Sequence, residues 1–261
     1  MSSPNIQEIS LLQMAICYLL FLVSFLLIFY YRMNLEKDAI ISTIRMSVQL
    51  VIAGLVLKYV FEFNYWYVVL FVLLFMLFFG VQTILGRTGI KIRKTFPYLF
   101  LSMLIGCGGT MLFFIFAVVR QEPWYDARYL IPLFGMIVGN SMNGCALALE
   151  RYVTGIHDNR DAVEAVLSFG GTPSEATRDN FLKAFRASVL PTFASMTGMG
   201  VVFLPGMMTG QILSGAEPLL AVRYQIAIML AILSSVVFSV FLILNLETRL
   251  LFNRKDQLIE F

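Results

Sequence analysis

A polytopic bundle of transmembrane helices, all-α, is the fold class predicted by three features of this 261-residue sequence. Hydrophobic residues make up 59% of the chain and charged residues only 13%, and the mean hydropathy of +0.82 lies outside the usual range of a soluble domain. The apolar residues gather in runs of about 20 or more, enough to cross about 30 Å of hydrocarbon at 1.5 Å per helical residue. These runs are continuous and do not alternate, so helices rather than barrel strands are expected to cross the bilayer.

Seven spans are expected, at about residues 9–31, 39–61, 65–85, 96–119, 129–149, 190–214 and 219–246. The first is too long for a signal-peptide core and has neither a basic region before it nor a small-residue cleavage pattern after it, so it reads as a retained span. Cys17, Cys107 and Cys145 all fall inside apolar runs at spacings that match no zinc or disulfide pattern, and are expected to pack as small hydrophobes.

The basic residues orient the spans. Fourteen Lys and Arg fall in the first, third and fifth loops and the tail: Arg32, Lys37, Arg87, Lys91, Arg93, Lys94, Arg151, Arg160, Arg178, Lys183, Arg186, Arg249, Arg254 and Lys255. The opposite side carries only Arg120 and Arg128. The positive-inside rule then places the N-terminus outside and the C-terminus in the cytoplasm of a cell membrane, with Trp66, Tyr67, Trp124 and Tyr125 at the outer interface. The whole chain, 1–261, reads as one transmembrane domain carrying a cytoplasmic insert at 150–189.

That insert has its own punctuation. In "DAVE", Asp161 is a helix cap with Glu164 three residues on, and Gly170 with Gly171 supplies a left-handed stop. "TPSE" repeats the start signal, with Thr172 as cap, Pro173 in the first turn and Glu175 completing the box. A second, longer helix is expected to run through Phe181, Phe185 and Val189 into the membrane at Leu190-Pro191. The first helix places Val163, Val166 and Leu167 on one stripe beside Asp161 and Glu164. By shape such a stripe suits either a groove on another protein or the lipid headgroups.

Sequence likeness separates the two. "EAVLSFG" resembles the E-A-A-x-x-x-G loop of ABC transporter permeases, although Leu190-Pro191 follows at a greater distance than in importers. "IRMSVQLVIAGLVLKYVF", "PLFGMIVGNSMNG" and "FLPGMMTGQILSGAEPLLAVRYQI", together with "SFGGTPSEA", resemble the FetB-type permeases, a bacterial family linked to iron export with plant relatives linked to aluminium tolerance. The resemblance spans about Leu35 to Gln225 with its four motifs in the family's order. It implies an iron or metal-linked substrate, a coupling helix formed by Asp161, Val163, Glu164, Val166, Leu167 and Gly170, a cytoplasmic ABC ATPase subunit as partner, and a second copy of the chain. The sequence has no G-x-x-x-x-G-K-[ST], so no catalytic residue or directly bound cofactor is expected, and ATP would be handled by the partner subunit. No nucleic-acid partner is expected.

Polar residues within spans are candidates for a substrate pathway. Arg45 and Gln49 are four apart on one face of the second span; Arg45 lies close enough to the cytoplasmic end to snorkel to lipid phosphate. In the fifth span Gly135 and Gly139 provide small-residue spacing beside Asn140 and Asn143, which suits a helix contact as well as a substrate. Pro205 and Gly206 are expected to break the sixth span, and Met207 follows them; freed carbonyls there would line a pathway faced by Gln49 and Asn140, or simply pack. No Asp lies deep in a span, the one histidine is His157 in the insert, and Met196, Met199, Met207 and Met208 cluster. No dedicated bare-metal cage is expected from such a set. The competing class is a seven-span receptor, which shares the count and orientation but gives no reason for two capped helices in the fifth loop.

Overall fold

The structure is a computed structural model that describes residues 10–88, 95–253 and 257–259. Lys91, Arg93, Lys94, Arg254 and Lys255, which carry part of the charge asymmetry, lie outside the described residues, as does the start of the first expected span. Every named element is helical, and the chain divides into two compact units.

The first unit comprises the chain up to Phe63 with Leu213–Gly215. Helix α1, Leu11–Tyr30, opens on a capping box in which the Ser10 hydroxyl accepts from Gln13 N–H and the Gln13 side chain accepts from Ser10 N–H. Helix α2 runs over Glu36–Phe63. Tyr18 Oη and Ser47 Oγ are 2.7 Å apart and join the two helices. The remaining side chains of α1 are almost all exposed and apolar, as a surface facing hydrocarbon should be.

The second unit comprises Asn64–Ile212 and Ala216–Phe261. Its axis is α6, Ala127–Asp158, a 32-residue helix started by the Asp126 carboxylate accepting from Arg128 N–H. Helix α3, Trp66–Thr88, packs on one side of it. Gly80 and Gly135 make this contact close: a β-carbon on Gly80 would meet Val138 at 3.3 Å, and one on Gly135 would meet Met76 at 3.1 Å. Gly139, expected to share that role, has open space around it.

The fourth expected span is a composite. Helix α4, Thr95–Met103, passes through a π-helical turn at Leu104–Gly108 into α5, Gly109–Phe113, and a second π turn at Phe114–Val119. The last long helix of this unit, α11, Pro218–Leu251, packs against α6 and against this composite span. Cys107 and Cys145 are buried as small hydrophobes should be, whereas Cys17 is exposed on α1.

Among the described residues, six segments are long and apolar enough to cross a membrane: Leu11–Tyr30, Glu36–Phe63, Trp66–Thr88, Thr95–Val119, Ala127–Asp158 and Pro218–Leu251. The expected span at 190–214 is not one of them. Its residues are divided between α9, Arg178–Gly198, and α10, Gly206–Leu213. Helix α9 starts twelve residues early, and its first half carries Arg178, Asp179, Lys183 and Arg186. Pro191 sits inside α9 without ending it; the helix stops instead at Gly198.

Candidate functional site

The insert is where the sequence punctuation is most directly visible. Helix α6 continues nine residues past its expected end, and a single residue, Asn159, separates it from α7, Arg160–Ser168. The expected Asp161 cap therefore does not form, because Asp161 already lies in the first turn. Asn159 takes the cap position without a side-chain bond to α7, its amide donating back to the Gly155 carbonyl at 2.7 Å. Glu164 is likewise diverted from capping and pairs with Arg160, Nε to Oε1 at 2.7 Å, one turn away.

The stop signal forms as expected. Gly170 adopts φ +85°, its N–H donates to the Leu167 carbonyl, and Gly171 N–H donates to Val166, both at 3.0 Å. This is the Schellman arrangement, and it satisfies carbonyls that the helix end leaves free. A β-carbon on Gly171 would lie 2.6 Å from Val166 Cγ1, so this position is closed to larger residues too. The second start signal also forms: Thr172 Oγ1 accepts from Glu175 N–H, and a Glu175 carboxylate oxygen accepts from Thr172 N–H at 2.8 Å. Donation from the Thr172 N–H, and then from the Thr172 hydroxyl at 2.8 Å, holds the Glu175 carboxyl below the usual glutamate range. The expected long second helix is interrupted: α8 covers only Pro173–Ala176, and Thr177 separates it from α9.

The stripe on α7 divides in two. Val163 is buried within the chain's own core, while Val166 is exposed, Leu167 is half-buried, and Asp161, Glu164 and Gly170 face solvent. Phe169, which sequence reasoning passed over, is 93% exposed at the tip. Its position directly before the stop glycines was the available signal: a bulky ring at a helix C-cap has no side of the helix to retreat to. A polar cavity of about 290 Å³ lies beside this end of α6, lined among others by Arg151, Asp158, Asn180 and Lys183.

The pathway candidates fall in both units, and each belongs to its own surroundings there. Arg45 and Gln49 are exposed on α2, in the first unit. The remaining candidates belong to the second unit. Asn140 turns its amide back to the Met136 carbonyl of its own helix at 2.8 Å. Asn143 accepts from Arg87 of α3 at 3.1 Å, an inter-helix contact of the kind small polar residues make in bundles.

The expected break near Pro205 is present and wider than one residue. After Gly198 the chain makes a tight loop, closed by a parallel bridge between Met199 and Phe203, in which Gly200 takes φ +85°, Gly200 N–H donates to Phe203 O at 2.9 Å, and Val202 N–H donates to Gly198 O at 2.8 Å. Val201 and Val202 are 92% and 80% exposed at its tip. Helix resumes at Gly206, and the Pro205 carbonyl accepts from both Thr209 N–H and Thr209 Oγ1. Met207 is half-buried on the first turn of α10. Gln225 on α11 reaches the break from the side, its amide donating to Met199 Sδ at 3.8 Å.

Two groups that the sequence left unremarked are buried at the far end of α11. Glu247 is fully buried; one carboxyl oxygen accepts from Thr95 Oγ1 at 3.2 Å and the other has no partner among the described residues. Tyr152 of α6 is also fully buried, its hydroxyl between Thr177 and Thr248. Placed in "NLETRLLFNRK", Glu247 reads as the polar edge of a span, and only packing against α4 reveals it as interior.

A second cavity, of about 830 Å³, runs between the composite fourth span and α11 and is lined almost wholly by apolar groups such as Phe113, Phe114, Leu230 and Phe238. Such a lining suits acyl chains or another helix and offers little to a hydrated ion.

Fold and insert together define a polytopic helical membrane protein with an ordered polar insert between α6 and α9. More particularly, the chain belongs to UPF0014, an uncharacterised protein family whose model matches residues 11–252. It is 31% identical to the probable iron export permease protein FetB of Escherichia coli, over 99% of this chain and 97% of that protein. It is 34% identical to the UPF0014 membrane protein YjkA of Bacillus subtilis, over 87% of this chain and 90% of the relative. Protein ALUMINUM SENSITIVE 3 of Arabidopsis thaliana is 32% identical over 80% of this chain and 75% of its own length. No solved structure gives a significant match.

Proposed function

We propose that this chain is the permease subunit of an ABC-type exporter of iron or a metal-linked substrate, working as a homodimer with two cytoplasmic ATPase subunits that bind ATP. The observation that carries the reading is the insert. A nine-residue helix is fixed at its end by a Schellman motif, followed at once by a capping box, and presents Phe169 and Val166 outward. An order of this kind costs conformational entropy, which a docking element recovers at its interface and a passive loop does not. Near full-length similarity to a protein named as a probable iron export permease supports the substrate class.

In this reading the N-terminus is outside, the insert and tail are cytoplasmic, and the α9–α10 segment completes a seventh crossing with its backbone break inside the bundle. Irregular backbone at membrane depth is stable only against protein or a water-filled cavity, which gives residues 199–207 a place along the pathway, with Arg45, Gln49, Asn140 and Asn143 as further candidates. Closure of the ATPase dimer would push the insert and switch the spans between two access states.

The direct test is affinity purification of the tagged chain from its host in mild detergent. Recovery of a stoichiometric ABC ATPase subunit is the expected result. Recovery of the chain alone under conditions that preserve other ABC complexes would overturn the reading.

A further inference from the structure

Five buried polar side chains run from the insert to the membrane helices in two bonded groups that meet at adjacent residues of α11. Thr177, at the α8–α9 junction, accepts from the Tyr152 hydroxyl of α6 at 3.0 Å. Tyr152 Oη also meets Thr248 Oγ1 of α11. Next along α11 stands Glu247, which accepts from Thr95 at the first turn of α4. All five are buried: Thr177, Tyr152, Glu247 and Thr95 at 1% exposure or less and Thr248 at 8%.

The protons in this chain can be counted. Thr177 donates its hydroxyl proton to the Pro173 carbonyl and Thr248 donates to Leu244, each at 2.8 Å within its own stretch of chain. The phenolic proton of Tyr152 goes to Thr177, and its oxygen can still accept from Thr248, whose hydroxyl lies within reach of both Tyr152 and Leu244. Because either oxygen of the Tyr152–Thr248 pair can be the donor, this one hydroxyl bonds the insert and the last helix together. Thr177 occupies the N-cap position of α9 yet makes no side-chain cap bond there, its hydroxyl being committed to Tyr152 and Pro173 instead.

We infer that Tyr152 is a positioning residue through which displacement of the insert is transmitted to α11, and through Glu247 and Thr95 to α4. The inference rests on the functional reading above, in which an ATPase moves the insert. When the insert shifts, the Thr177–Tyr152 bond carries the displacement to the Tyr152 hydroxyl and on to Thr248. The junction and the last helix are thereby tied through one hydroxyl.

Tyr152→Phe is a clean probe of this. It keeps the ring that packs edge-on to Phe181 at 6.3 Å, and both threonines retain their carbonyl acceptors, so no buried donor is stranded. The experiment is hydrogen–deuterium exchange on the purified permease–ATPase complex, with and without ADP–vanadate trapping. In the wild-type complex, trapping should change exchange in both the 160–177 and the 244–251 segments. In Tyr152→Phe the first change should persist, while the second shrinks by about tenfold, the size of one hydrogen bond expressed as an equilibrium. Thr248→Val should behave like Tyr152→Phe, and Thr248→Ser, which keeps the hydroxyl, should behave like wild type. Equal responses in both segments for Tyr152→Phe and Thr248→Val would overturn the relay while leaving the permease reading intact. Failure of the wild-type chain to bind any ATPase would overturn that reading, and the relay with it.

Discussion

Gly106 and Ser239 approach so closely that a β-carbon on Gly106 would fall 2.1 Å from the Ser239 hydroxyl oxygen and 2.9 Å from its backbone nitrogen. The contact lies where α4 gives way to a π turn, and Cys107 Sγ stands 3.8 Å from the same hydroxyl. Widening the helix by one residue per turn lets the Gly106 backbone reach α11, and small residues on both helices make the approach possible. Gly106→Ala therefore has to move backbone as well as side chain. We expect it to cost about 3 kcal/mol, read as a large drop in thermal stability in detergent, while Gly139→Ala, with open space around it, should be silent.

The interior position of Glu247 makes a second expectation. Glu247→Ala removes the acceptor for the buried Thr95 hydroxyl and leaves a cavity, which should destabilise the fold by about 2–4 kcal/mol. Glu247→Gln keeps an acceptor oxygen at the same reach and should retain most of the stability. Thermal unfolding of the two purified variants separates them; equal losses would mean that the Thr95 bond is incidental.

Gly170 supplies the third. A β-branched side chain at φ +85° is strained by about 1–2 kcal/mol, so Gly170→Val should loosen the end of α7 without affecting membrane insertion. Limited proteolysis in membranes should then cut near residues 168–172 faster than in wild type at unchanged expression. Unchanged cutting would place the insert's order elsewhere than in its Schellman turn.

Acid should loosen the second start signal. The folded-state Glu175 carboxyl titrates below its ordinary value of 4.5 because Thr172 donates to it. Its contribution is therefore complete above about pH 4.5 and is lost as pH falls through the lower, folded value. Proteolysis of the 172–177 segment by an acid-active protease should rise through that window in wild type. In Glu175→Gln, which cannot titrate, it should show no such step.

Much of this was legible beforehand because it depends on local chemistry. Gly170-Gly171 and Thr172-Pro173-x-Glu175 form what their residue types dictate, and the break between Gly198 and Gly206 falls where glycines and Pro205 gather. Asp161 failed as a cap for a non-local reason. Polarity marks where a helix leaves hydrocarbon, but α6 has no reason to end there and runs on to Asp158, carrying the start of α7 with it. Burial of Val163, exposure of Phe169 and enclosure of Glu247 depend on which neighbour each helix face meets, which periodicity does not encode. The π turns had no signature beyond a glycine-rich stretch at Gly106, Gly108 and Gly109.

The central claim is that the insert docks on a cytoplasmic ATPase, and the exposed ring of Phe169 is the place to test it. A photo-crosslinking phenylalanine analogue at position 169 in living cells, followed by mass spectrometry of the adduct, measures what this tip touches. The account predicts a protein adduct to an ABC ATPase subunit, lost when Val166→Asp is added. Adducts to phospholipid alone, at undiminished yield with Val166→Asp, would show a loop lying on the headgroups and contradict the account.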